Sequence, residues 1–112
     1  MTVLVTIPIA IPSVANLREH WSVKARRVKS QRNAVGWLLG NRPRPSLPVV
    51  VTLTRVAPRS LDGDNLQGAF KATRDAVATW LGYEDNHPGI RWEYDQRAGK
   101  PACVEIRVEA LS

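Results

Sequence analysis

Asp62 and Asp64 stand two residues apart in the segment Arg59-Ser-Leu-Asp-Gly-Asp-Asn65, just before a helix-like run that ends near Leu81. In extended backbone, side chains at i and i+2 share a face, so both carboxylates can converge on one cation. Magnesium is held by one or two carboxylates and keeps several waters. In phosphodiester hydrolysis such an ion polarises the phosphoryl oxygen, supplies hydroxide and offsets leaving-group charge. Glu84-Asp85 lies about 20 residues further on, past one helix of 3.6-residue period, and offers a third carboxylate if the chain doubles back. The same residues have a plainer use. Asp and Asn are favoured helix caps, acids suit a helix N-terminus, and Glu84-Asp85-Asn86 is ordinary loop composition. Both readings stay open on spacing alone.

Charge indicates what such a site would act on. The chain carries a net charge of +6, and its distribution is uneven. Residues 1–56 hold nine Lys/Arg and one acid, Glu19, whereas residues 57–112 hold seven Lys/Arg and nine acids. A basic half joined to a mildly acidic half suits a binder of phosphate backbones with a local metal site. Arg18, Lys24, Arg26, Arg27, Lys29 and Arg32 crowd one helical stretch, where like charges three and four residues apart repel. A solvated outer face is the bland account; contact with nucleic-acid phosphates is the functional one. Arg59, beside the aspartates, joins these six as a candidate DNA contact.

The elements that must position these groups follow from periodicity. Residues 2–10 are rich in β-branched side chains and predict a strand, with Pro8 suited to an edge or strand end. Trp21 to Leu39 predicts an amphipathic helix, with apolar positions at Trp21, Ala25, Val28, Val35, Leu38 and Leu39 and a polar gap at Gln31-Arg32. Gly40-Asn41 and three prolines end it. Val49–Val56 predicts the clearest strand. From Asn65, the residues Leu66, Ala69, Phe70, Thr73, Val77, Trp80 and Leu81 make one face of a single helix ending near Gly82. Lys71, Arg74, Asp75 and Ala78 fall on the opposite face. Ile90–Gln96 alternates, Ala98-Gly99 signals a hairpin, and Ala102–Glu109 alternates again. The expectation is an α+β domain spanning residues 1–112, in the order β-α-β-α-β-β. Two helices would cover one face of a mixed four-stranded sheet, and the last two strands would form an antiparallel hairpin.

Asp62-Gly-Asp-Asn-Leu66, the helix bearing Lys71 and Asp75, Trp80-Leu-Gly82 and then Glu84-Asp85 together resemble the RusA-type Holliday junction resolvases. The resemblance extends over nearly the whole chain; its specific motif is confined to residues 61–85. It implies a homodimeric, magnesium-dependent endonuclease, with manganese able to substitute, that nicks four-way DNA junctions symmetrically. It also implies a cytoplasmic protein, bacterial or phage-encoded, often carried by a prophage. On this resemblance Asp62, Asp64 and Asp85 bind metal, and Lys71 contacts the scissile phosphate or stabilises transition-state charge. Two residues depart from the pattern. Lys71 lies seven residues after Asp64 where the family's lysine lies four after, and Glu84 stands where the family has a second aspartate. On a continuous helix, seven residues keep Lys71 on the same face but about 10 Å along the axis. A binding protein that keeps the fold and has lost cleavage is the alternative these departures suggest.

Other side chains carry weaker signals. His87 follows Asp85 closely and reads first as a loop residue; His20 reads as a helix-start residue. Asp75 suits a surface pair with Lys71 or Arg74. Trp21, Trp37, Trp80 and Trp92 fall mainly on apolar faces, so core is expected, with Trp21 the one candidate for base stacking. The single cysteine, Cys103, excludes an internal disulfide and a cysteine-based zinc cluster. The first residues lack the form of a signal peptide, and no apolar run reaches the roughly 20 residues of a membrane span.

Overall fold

The computed structural model describes residues 1–11 and 21–111. Seven elements follow one another: β1 (Thr2–Ile7), α1 (Trp21–Leu39), β2 (Val49–Ala57), α2 (Gly63–Ala69), α3 (Lys71–Leu81), β3 (Ile90–Ala98) and β4 (Cys103–Ala110). The fold is α+β, with a mixed four-stranded sheet and three helices. The four strands lie in the order β1-β4-β2-β3. β4 runs antiparallel to β1 and to β2, and β2 pairs with β3 in parallel. Hence β1, β2 and β3 all point the same way.

β3 and β4 follow the alternation read from their sequence, and β1 and most of β2 alternate as well. Val3, Val5 and Ile7 of β1, Val49, Val51 and Leu53 of β2, and Val104, Ile106 and Val108 of β4 are buried on one face. The helices cover that face, with α1 packing on α3 and β1. The other face carries Thr52, Thr54, Asp95, Glu105 and Arg107 around a shallow opening. There Arg97 grips Glu105 through two hydrogen bonds, at 2.9 and 2.7 Å. Those bonds hold the Glu105 carboxyl below its ordinary value. Among the described residues no helix is long and apolar enough to cross a membrane.

Three expectations need correction. First, β3 and β4 do not form a hairpin: β2 lies between them. β4 has a fully buried apolar face and takes a central place, whereas Trp92 and Tyr94 leave β3 half-buried at the edge. The connecting chain passes the end of β2, where Gly99 donates to the Ala57 carbonyl at 3.2 Å. A Cβ on Gly99 would come within 3.0 Å of Val56 Cγ1, so the glycine serves a close crossing rather than a tight hairpin turn.

Second, the helix expected from Asn65 to Leu81 is two helices. Phe70, at φ −89° and ψ 1°, ends α2 and precedes α3. Its N–H donates to the Gln67 carbonyl at 3.2 Å, and its ring is fully buried against Tyr94, 6.0 Å away. The apolar face survives the break because Leu66, Ala69, Phe70, Thr73, Val77, Trp80 and Leu81 are all buried. Ala78, expected on the outer face, is buried as well.

Third, α1 buries only a narrow stripe: Gln31, Val35 and Leu39. Gln31, expected in a polar gap, sits inside with its Oε1 lacking a partner. Trp21 and Trp37, expected in the core, are 74% and 82% exposed. Among the described residues the helix packs mainly on α3 and β1.

Gly82 closes α3 at φ +90°, and its N–H donates to the carbonyls of Ala78 and Thr79. A left-handed residue costs any side chain with a Cβ about 1 kcal/mol or slightly more. Gly82→Ala is therefore expected to lower unfolding free energy by about 1 kcal/mol, read from the urea midpoint at unchanged m-value.

Candidate functional site

The sheet direction decides what meets what. β1, β2 and β3 end at one edge of the molecule, and the chain leaves β2 there into Arg59 and the aspartates. α1 and the α2–α3 pair both begin at that end and return the chain to the other. In open α/β sheets ligands settle outside the carboxyl ends of parallel strands, at the mouths of such connections.

Asp62 is the N-cap of α2. Its Oδ1 accepts from the Asn65 N–H at 3.0 Å, and its carbonyl accepts from the Leu66 N–H at 2.9 Å. The cap reading of Asp62 thus holds. Asp64 lies in the first turn of α2, and both aspartates are exposed. The loop before them is fixed from β3, where the Gln96 side chain bonds the Leu61 N–H at 2.8 Å and the Leu61 carbonyl at 2.6 Å. Arg59, also exposed, offers its carbonyl to Arg55 Nη1 at 2.6 Å. Arg55 Nε reaches across to the Ile11 carbonyl at 2.9 Å, tying this end of β2 to the chain beyond β1. Arg55, Arg59 and Arg97 edge one small cavity of about 190 Å³.

Lys71 does not continue α2, because the break at Phe70 intervenes; it opens α3 instead. Its side chain is 79% exposed and only 3.9 Å from Asp75, the i,i+4 pair the sequence allowed. Lys71 faces α1 across a cleft of about 190 Å³ that Lys24, Arg27 and Gln31 also line. Lys24, Arg26, Lys29 and Arg32 are exposed and Arg27 is half-buried. No acid lies within Trp21–Leu39. Arg18 and His20 lie outside the described residues.

Asp85 stands elsewhere. It follows α3, so it belongs to the opposite end of the sheet. Its Oδ2 accepts from Arg74 Nε at 3.0 Å and its carbonyl accepts from Arg74 Nη2 at 3.2 Å. The Trp92 indole N–H donates to the same carbonyl at 2.8 Å. Arg74 also donates to the Tyr94 hydroxyl at 2.6 Å, and its guanidinium lies 4.8 Å from the Trp92 ring centroid. Burial works against the charge on Arg74, but the bonds to Tyr94 and Asp85 hold its guanidinium above its ordinary value. Leu61 is tied to Gln96 and Asp85 to Trp92, four residues apart on one strand, or about 13 Å. Asp62 caps α2 and Asp64 stands in its first turn, on helical rather than extended backbone, while Asp85 lies past the far end of α3, held by Arg74. Among the described residues no three His, Cys, Asp or Glu side chains gather as a ligand set.

A magnesium ion suits the first two aspartates. It needs one or two protein carboxylates, and substrate phosphate oxygens and waters complete its shell. Asp62 keeps one carboxylate oxygen beyond its cap bond, and Asp64 is exposed. Measured against family models and against curated proteins, the chain matches none.

Near the Asp85 loop, sequence reasoning also misplaced Arg74. Periodicity set it on an outer face, whereas it is the hub that joins α3, β3 and the Asp85 loop. His87 is structural: its Nδ1 accepts from the Gly89 N–H at 2.9 Å. Cys103 is free and half-buried.

Proposed function

We propose that this chain is a magnesium-dependent DNA endonuclease that resolves four-way junctions as a homodimer, by paired symmetric nicks. The observation that carries the reading is the pair of exposed carboxylates at the mouth of α2, at the sheet end where Lys71 faces Lys24 and Arg27. Exposed acids on a chain whose first half is strongly basic suit a phosphodiester better than a neutral substrate. Asp62 and Asp64 would hold magnesium, or manganese in its place, which supplies a polarised phosphoryl oxygen and a hydroxide nucleophile. The RusA-type pattern implies Asp85 as a further ligand, but here Asp85 is tied to Arg74 and Trp92 past the far end of α3. Lys71, exposed at the start of α3, would steady the developing phosphate charge. Lys24, Arg26, Arg27, Lys29, Arg32 and Arg59, with Arg18, would track the backbone. Two sites related by a dyad would serve the two opposed strands of one junction. The same reading places the protein in a bacterial or phage-infected cytoplasm.

The test is cleavage of a four-way junction, a duplex and a single strand of matched sequence in magnesium. Paired nicks restricted to the junction support the reading. The Arg74–Asp85 pair favours a second one, a DNA-binding protein without cleavage. Tight, salt-sensitive binding with no nick in any substrate would select it.

The cationic helix has its own expected signature. Affinity for DNA falls with salt, with a logarithmic slope of about 0.9 per phosphate contacted. Arg26 is exposed on α1. Arg26→Ala is expected to weaken binding to all DNA alike and to flatten the slope by about one unit. Affinities between 50 and 200 mM salt, roughly the range over which such slopes are read, check it.

A further inference from the structure

We propose that the open groove between α1 and the second half of α3 holds a single-stranded segment of nucleic acid, with an unpaired base stacked on Trp21 and phosphates on Lys29 and Arg32. The inference rests on the nucleic-acid reading above and adds the form of strand and its seat.

The groove has a volume of about 800 Å³. Its walls include Trp21, Lys24, Lys29 and Arg32 from α1 and Thr79 and Trp80 from α3, and among the described residues none of those lining it is acidic. Ala25, Val28 and Ala76 add apolar surface to the same walls. An indole that is 74% exposed at the rim of a cation-lined apolar groove matches what unpaired nucleotides need. Every base has a π-face for an aromatic ring, and the backbone follows positive charge. A base paired within a duplex has both faces covered and cannot use Trp21 in this way. Trp80, 8% exposed, adds apolar indole surface to the groove wall. Asn33 and Thr79, also lining the groove, bring hydrogen-bonding groups for base edges.

Two variants test the seat without threatening the fold. Trp21→Ala removes an exposed ring. Gly36→Leu adds bulk at a groove-lining position where a Cβ would meet nothing within 4 Å. Trp37→Ala, 82% exposed and outside the groove, is the control. Binding is measured in EDTA with an oligothymidylate of about 12 nucleotides and with a blunt duplex of equal length. Trp21→Ala and Gly36→Leu are each expected to weaken oligothymidylate binding about tenfold, leaving duplex binding within about twofold. Trp37→Ala changes neither. Equal losses on both DNAs, no loss on either, a Trp37→Ala loss matching that of Trp21→Ala, or no binding of oligothymidylate by the wild-type chain overturns the proposal. So does competition for the groove by a polyglutamate peptide as effective as the oligomer. Because EDTA removes cleavage from the measurement, the two readings fail separately. The expected binding pattern without junction nicking leaves the groove and removes the nuclease. Nicking with variant-insensitive oligothymidylate binding does the reverse.

Discussion

Asp64→Asn is expected to abolish junction nicking, by about a thousandfold, while the protein stays folded and still binds the junction. A carboxamide is a poor ligand for a hard cation, and losing several kcal/mol of metal-assisted stabilisation corresponds to about three powers of ten in rate. Folding is spared because Asp64 is exposed in the first turn of α2, where its charge adds about 0.3–1 kcal/mol through the helix dipole. Junction affinity should hold or rise, since one negative charge leaves a DNA-facing surface. Asp62 must be treated differently. Its side chain caps Asn65, so Asp62→Ala removes a cap of about 1 kcal/mol together with a ligand. Asp62→Asn keeps the cap and isolates the chemistry. Single-turnover nicking of a four-way junction, with circular dichroism as the folding check, decides the matter. Wild-type rates in Asp64→Asn would leave the carboxylate pair with capping and nothing else.

The sequence made the local elements legible because their signals are local. Alternation along β3 and β4 placed their buried faces, β-branched runs marked β1 and β2, and the 3.6-residue repeat from Leu66 to Leu81 placed the buried face of α2 and α3 despite their break. What escaped was set by contacts distant in sequence. The place of β4 between β1 and β2 depends on which strand has the more completely apolar face, and the Ala98-Gly99 pair reads as a turn either way. Phe70 ends a helix because its ring lies against Tyr94, 24 positions later, which no helical repeat records. Trp37 is exposed because the buried stripe of α1 is the narrow one through Gln31, Val35 and Leu39, although its own stretch suggests a core residue. At the candidate site the same divide applies. The cap at Asp62 was legible from residue type and position. The separation of Asp85 from Asp62 follows from strand direction: a helix that begins at one end of the sheet delivers the chain to the other.

That separation makes Arg74 the residue whose removal says most about Asp85. Arg74→Ala is expected to cost about 2–3 kcal/mol of stability, read from urea unfolding. It deletes the bonds to the Asp85 carboxylate and carbonyl, the bond to Tyr94 and the contact over Trp92. Breaking a fully buried pair costs about 3–5 kcal/mol. Here the two side chains are 28% and 37% exposed, so solvent screening reduces the figure. Asp85→Asn loses only the charged part of one bond and should cost about 1 kcal/mol, and the double variant should reveal a coupling of about 1–2 kcal/mol. The same three proteins carry a second readout. While Arg74 holds Asp85 about four strand residues from the aspartate loop, Asp85→Asn should slow nicking far less than Asp64→Asn. An equal loss in both would mean that Asp85 leaves the guanidinium when magnesium and DNA arrive. In that case Arg74→Ala, which frees the carboxylate beforehand, should lower the magnesium concentration needed for half-maximal rate. If the requirement is unchanged and nicking tracks stability alone, Asp85 is a tether that fixes β3 to α3, and the chemistry belongs to the two aspartates at the mouth of α2.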